Sequence, residues 1–287
     1  MFDDGLVSTE WLATHRHDPD LRIVDMRGSV TTRPIEPGVE AATYQGAREE
    51  YLAGHIPGAV YLDWTADIVD PDDPVPAQIA PSGRFAEVMA VHGIGDSTRV
   101  VAVDHRGGQF ATRLWWALKY YGHDAVAVLD GGFQRWVDED REVEEGEVAV
   151  PRLGFTPQVR PEWRKTWEQV RDALGAGMFQ ILDARDSGQY NASKRRGPRG
   201  GHIPGAIHVP RDLFHAADGG FRPIAEIEKS LTALGVTRER PIIAYCNGGV
   251  AATVPLFHLQ RLGFTALSNY DGSWNEWGPR LDLPIEP

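Results

Sequence analysis

Read for polarity alone, the chain alternates two kinds of segment. Short apolar runs ("LRIVD", "VVAVD", "AVAVLD", "FQILD", "IIAYC" and "TALSNYD") carry Val, Ile, Leu and Ala with few polar breaks. Runs of that length and composition are strands buried on both faces. Between them stand stretches of helical length, "RFAEVMAVHG", "ATRLWWALKYYG", "IAEIEKSLTALG" and "AATVPLFHLQRLG". A short helix precedes each set. The second opens at "TWEQVRDAL", where Thr166 and Gln169 have the spacing of a capping box. Strands alternating with helices predict an α/β fold, each sheet open and mainly parallel with helices on both faces. Ligands of such sheets bind beyond the carboxyl ends of the strands.

The pattern is written twice. "GHIPGAVYLDW" at Gly54 returns as "GHIPGAIHVPR" at Gly201, "RVVAVDHRGG" as "PIIAYCNGG", "LDGGFQRW" as "YDGSWNEW", and "LRIVDMR" as "FQILDAR". Four blocks in one order are two copies of one unit. From the Asp of Asp-x-Arg to "GHIPGA" the first copy takes 29 residues (Asp25 to Gly54) and the second 18 (Asp183 to Gly201), a surplus of 11. The acidic, then proline-spaced "DEDREVEEGEVAVPRLGFTPQVRPEW" has no helical period. It places the boundary near Val150, giving units 1–150 and 151–287.

Charge and cysteine usage narrow the chemistry. A net charge of -12 argues against nucleic acid or an anionic membrane surface as partner, since both need a positive face. One cysteine excludes an internal disulfide, so nothing demands an oxidising compartment. The start "MFDDGLVSTEW" has no signal-peptide pattern, and no run has the length of a membrane span. The expectation is a soluble, cytoplasmic protein. No Cys/His set has metal-ligand spacing, so neither metal nor cofactor is expected.

That cysteine, Cys246, ends a strand and precedes a helix in "AYCNGGVAAT". First-turn N–H groups and the helix dipole stabilise a thiolate there. Gly248 and Gly249 permit a loop whose N–H groups converge on one anion, and Ala251 and Ala252 keep bulk away. In the first copy Asp104 holds the slot, and a carboxylate cannot carry sulfur. A cysteine phosphatase is excluded: the arginine it needs six residues after the thiol is Ala252 here.

The two "GHIPGA" blocks, "YCNGGVAAT", "NYDGSWNEW" and the Asp-x-Arg strand ends together resemble the two-domain rhodanese family, thiosulfate and 3-mercaptopyruvate sulfurtransferases. The resemblance spans essentially the whole chain. It implies two tandem rhodanese-like domains, the first inactive and the second carrying a cysteine that becomes a persulfide, here Cys246. A small-molecule sulfur donor and a thiol or cyanide acceptor would be its partners. Thiosulfate enzymes of the family have basic residues just after the cysteine, and mercaptopyruvate enzymes a Gly-Ser-Gly stretch. Asn247, Gly248 and Gly249 complete neither signature but lie nearer the second. Where the family has an arginine shortly after Asp-x-Arg, this chain has Gln189.

Substrate contacts are therefore expected from Asn247, Gly248, Gly249, Val250, Ala251 and Gln189, and from the basic stretch "NASKRRGPRG" through Arg195, Arg196 and Arg199. His55 is added because the family's inactive domain contributes to the cleft near its "GHIPGA". Asp183 and Arg185 are expected to brace the site from behind. Trp115, Trp116, Trp136, Trp274 and Trp277 are read as packing. The alternative function is a sulfur-carrier or regulatory module with little turnover.

Overall fold

The computed structural model describes residues 2, 4–105, 107–175 and 177–287. In chain order the first unit has strands β1 (Leu6–Val7), β2 (Leu21–Asp25), β3 (Gly28–Glu36), β4 (Val39–Gly46), β5 (Val60–Tyr61), β6 (Arg99–Val103) and β7 (Val126–Leu129). Its helices are α1 (Thr9–His15), α2 (Arg48–Ala53), α3 (Ser82–Val91), α4 (Gln109–Tyr120) and α5 (Gly132–Asp138). The second unit has β8 (Arg164–Lys165), β9 (Gln180–Asp183), β10 (Ile207–His208), β11 (Ile242–Tyr245) and β12 (Leu267–Tyr270). Its helices are α6 (Trp167–Ala173), α7 (Ser187–Tyr190), α8 (Ile224–Ala233), α9 (Thr253–Arg261) and α10 (Ser273–Trp277).

Both units form a parallel sheet with one strand order, β1-β7-β6-β2-β5 and β8-β12-β11-β9-β10. The antiparallel hairpin β3–β4 has no counterpart among the described residues of the second unit. It accounts for the surplus between the first Asp-x-Arg and "GHIPGA".

The uninterrupted apolar runs follow from burial on both faces. Val24, Val100, Ala102, Val126 and Val128 of the first sheet, and Leu182, Ile242, Ala244 and Leu267 of the second, enter one shared core. Their alternate neighbours serve two outer cores, Ile23, Val101, Val103 and Ala127 on one side, and Ile181, Ile243 and Tyr245 on the other. Each Val, Ile or Leu side chain among them, fully buried, contributes about 1.5–3 kcal/mol. Helices α4 and α9 meet in the shared core, where Thr112 Oγ1 lies 2.8 Å from Thr253 Oγ1 and Trp115 packs edge-on against Phe257. Trp116 donates its indole N–H to Trp163 O across the same seam. Trp136, Trp274 and Trp277 fill the outer cores.

The capping box at Thr166 is present, with Gln169 N–H on Thr166 Oγ1 and Gln169 Oε1 accepting from Thr166 N–H. The connecting segment stays with the first unit beyond Val150. Leu153 N–H donates to Ala90 O, Gln158 N–H to Tyr121 O and Arg160 N–H to Tyr120 O. The second unit's own elements begin at Pro161. No helix among the described residues is long and apolar enough to cross a membrane.

Candidate active site

Strand β11 is buried along its length and delivers Cys246, 5% exposed, at its carboxyl end. The following loop needs its glycines. Gly249 has φ +71°, and a Cβ there would stand 2.6 Å from Asp271 O. Ser273 Oγ accepts from the N–H groups of both Cys246 (3.1 Å) and Gly249 (3.0 Å) and donates to Tyr270 O. The loop carbonyls are tied as well, Cys246 O to Trp274 N–H and Asn247 O to Asn275 N–H. By contrast, the N–H groups of Val250, Ala251 and Ala252 take no partner among the described residues.

The thiol faces a cavity of about 260 Å³ between the units. Asn247, Gly248, Val250, Ala251, Gln189, Arg185, Arg196 and Arg211 line it, and the first unit supplies Val30, Tyr44, Ala77 and Gln109. Gln189 is buried, and its Oε1 accepts from Asn247 Nδ2 at 2.9 Å. Gln189, expected as a substrate contact, thus lines the cavity and is a neutral brace for the loop.

The four cations of the basic stretch separate in space. Lys194 lies 3.6 Å from Glu40. Arg195 joins its backbone to the hairpin and its guanidinium to Pro198 O. Arg199 donates to Gly278 O, Leu283 O and Trp277 O, bracing the C-terminal tail. Only Arg196 of the four lines the cavity; it forms no hydrogen bond or ion pair among the described residues, and its Nε is buried without a partner. Arg195 and Arg199, expected as substrate contacts, are not among the residues lining the cavity. Arg211 was missed by sequence reasoning. It follows β10 directly, beyond a strand's carboxyl end, and its guanidinium donates to Gln109 Oε1 at the start of α4.

The repeat explains the remaining residues. Asp183 holds Arg185 through both carboxylate oxygens, while Arg185 Nη2 donates to Gly201 O and the guanidinium lies over Trp274. In the first unit Asp25 holds Arg27, Nη2 donates to Gly54 O and the guanidinium lies over Phe133. Asp-x-Arg is thus a buried brace in both copies, and in the second it also forms cavity wall. His55 does not reach the cavity. It is fully buried, stacked on Tyr51 with Nδ1 on Tyr51 O, and its backbone pairs with Glu144. His202 repeats this with Tyr190 and Glu286. Each histidine ties its turn to the unit's closing segment.

Asp104 occupies the cysteine slot of the first unit and accepts from Gly108, Phe110 and Ala111 N–H at the start of α4. Desolvation nevertheless pushes its carboxyl above the usual range, against those donors. A raised folded-state value means the folded chain holds the proton more tightly. The stability Asp104 contributes is therefore full below the ordinary carboxylate range and declines as pH rises through the raised value. Asp104→Ala is expected to cost about 1–2 kcal/mol, as for a lost cap, with sulfur transfer little changed. Urea unfolding should show a larger cost at pH 4.5 than at pH 7.5.

Comparison with known proteins places this geometry. The rhodanese-like domain family matches residues 8–139 and 166–279. The chain belongs to the rhodanese-like family. It is 36% identical over 98% of its length to the 3-mercaptopyruvate sulfurtransferase of Escherichia coli K12, covering 97% of that protein. It is 30% identical over 99% of its length to the mitochondrial thiosulfate/3-mercaptopyruvate sulfurtransferase 1 of Arabidopsis thaliana, covering 78% of it. The crystal structure of SseA, an Escherichia coli 3-mercaptopyruvate sulfurtransferase, superposes with a TM-score of 0.81 at 33% identity, covering 94% of this chain and 98% of that one. Both rhodanese-like units thus hold the cysteine slot at the end of their central strand, with sulfur only in the second. No cluster suited to a metal ion occurs among the described residues.

Proposed function

We propose that the protein is a sulfurtransferase that takes sulfur from 3-mercaptopyruvate through a persulfide on Cys246 and delivers it to a thiol or cyanide. The observation that carries the reading is a lone thiol at the end of β11, in a cavity whose wall includes Arg196, a cation without a partner among the described residues. The Cys246 thiolate attacks the donor sulfur. The carbon–sulfur bond breaks with its electron pair on carbon, and the resulting enolate takes a proton to give pyruvate. The acceptor then removes the outer sulfur and restores the thiolate.

Donor preference follows from where the charge is. The residues after Cys246 are Asn247, Gly248, Gly249, Val250 and Ala251, with no cation among them. Thiosulfate, a dianion, gains most from positive charge next to the sulfur. Mercaptopyruvate needs one cation for one carboxylate, and Arg196, with Arg211 beside the same cavity, answers that need. A charge-assisted hydrogen bond is worth about 1.5–3 kcal/mol, roughly ten-fold or more in selectivity. The kcat/KM for 3-mercaptopyruvate is expected to exceed that for thiosulfate. Arg196→Met should raise KM for mercaptopyruvate about ten-fold with a smaller change in kcat, as for a contact made equally in ground and transition states. A thiosulfate kcat/KM above that for mercaptopyruvate would reverse the donor assignment. Absence of turnover with both would favour a carrier.

A further inference from the structure

The turns after β7 and β12 are near copies, "LDGGFQRW" and "YDGSWNEW". Each clamps the loop at the cysteine slot through two backbone bonds. Phe133 N–H donates to Asp104 O and Gln134 N–H to His105 O, just as Trp274 N–H donates to Cys246 O and Asn275 N–H to Asn247 O. The residue before each clamp lies in the left-handed region, Gly132 at φ +60° and Ser273 at φ +52°. Glycine adopts that region freely, whereas serine is strained there. A Cβ on Gly132 would stand 2.4 Å from Asp104 O, so the first unit has no room for a side chain at this point. The second unit makes that room and fills it with a hydroxyl.

Ser273 is fully buried. Its Oγ accepts from Cys246 N–H at 3.1 Å and Gly249 N–H at 3.0 Å, and donates to Tyr270 O at 2.7 Å. One atom thus closes both ends of the segment from Cys246 to Gly249. Ser273 is not among the residues lining the cavity, so those two amides face the rear of the loop. Val250 and Ala251 do line it, and their N–H groups take no partner among the described residues. We propose, resting on the reading of Cys246 as the sulfur-carrying nucleophile, that Ser273 is a positioning residue for that sulfur. It draws the Cys246 and Gly249 amides rearward and so turns the Val250 and Ala251 amides toward the thiolate. It touches neither donor nor acceptor and acts only through the loop. Without the hydroxyl, two buried N–H groups are stranded and the loop loses its common anchor, while the clamp from Trp274 and Asn275 remains. Amides aimed at an anion stabilise it. A loop that has lost that aim holds the thiolate, and the persulfide formed from it, less well.

The test compares two variants of the full-length protein. Ser273→Gly installs the first unit's residue, removing the hydroxyl and relieving the backbone. Ser273→Ala removes the hydroxyl and keeps the strain. Alkylation by iodoacetamide, followed against pH, reads the thiolate, and Cys246 is the only thiol to react. Both variants should move the alkylation profile up by about one pH unit, a loss of thiolate of about ten-fold below the midpoint. The kcat for 3-mercaptopyruvate should fall about ten-fold with KM little changed, because the cation Arg196 is untouched. Ser273→Gly should unfold at a higher midpoint than Ser273→Ala, so a profile shift common to both separates positioning from folding. A profile that is unchanged or moves down in Ser273→Gly overturns the proposal. Alkylation needs no sulfur donor, so a parent that takes up no sulfur overturns the sulfurtransferase reading and leaves the profiles to decide on Ser273.

Discussion

Cys246→Ser is expected to yield a folded protein with no sulfur transfer. The side chain is buried at the end of β11 and the chain has no other thiol, so the change exchanges one small atom and removes the nucleophile. Serine is a far weaker nucleophile than a thiolate at neutral pH, and no histidine is among the described residues lining the cavity to activate it. Treatment with either donor should add one sulfur, about 32 Da, to the parent and nothing to the variant. Unfolding midpoints of the two should agree closely, since the hydrogen bonds that shape the loop run through backbone groups and Ser273. Appreciable turnover by the serine variant would remove Cys246 from the mechanism.

The second large effect belongs to a residue of the unit without a thiol. Arg113, 2% exposed on α4, donates to Asp271 Oδ1 at 2.6 Å, to Gly249 O at 3.1 Å and to Ala77 O at 2.7 Å. Asp271 is fully buried; its other oxygen accepts from Ile79 N–H and lies 3.3 Å from Arg164 Nε. Removing one partner of a buried pair costs about 3–5 kcal/mol where the other charge is left alone; Arg164 and Ile79 N–H still face Asp271, so Arg113→Met should fall at the low end of that range. It should also lower kcat, because the Gly249 carbonyl loses one of its two side-chain donors, the other being Asn269. Adding Asp271→Asn removes the stranded charge and should restore part of the stability. A cost below about 1 kcal/mol in denaturant unfolding would show that the pair contributes no more than an exposed one.

Why Arg113 escaped the sequence reading is instructive. Within "ATRLWWALKYYG" an arginine reads as the solvent face of an amphipathic helix, and nothing local reveals that the opposite unit brings Asp271 to meet it. The duplicated order of strands, by contrast, was legible because apolar runs flanked by repeated turns leave little choice of topology. The site's centre was legible for the same reason: a strand end, glycines and a helix start are adjacent in the chain. Its walls were not. Choosing Arg196 over Arg195 and Arg199 depends on which carbonyls the fold brings near each guanidinium, and Arg211 looked like the tail of a turn motif. The hairpin hid because Thr31, Thr32, Arg33, Glu36 and Glu40 give it no apolar stripe. A ribbon that stands off its sheet needs none, and Pro37-Gly38 was its one local signal.

Thr112 of α4 meets Thr253 of α9, and counting back from that pair sets Phe110 and Ala111 against Ala251 and Ala252. In the first unit those two N–H groups grip the Asp104 carboxylate. In the second, the Ala251 and Ala252 N–H groups just before α9 take no partner among the described residues. The first unit therefore shows how a helix start at this slot holds a carboxyl group, and under the proposed mechanism a persulfide on Cys246 would meet the corresponding amides of the second.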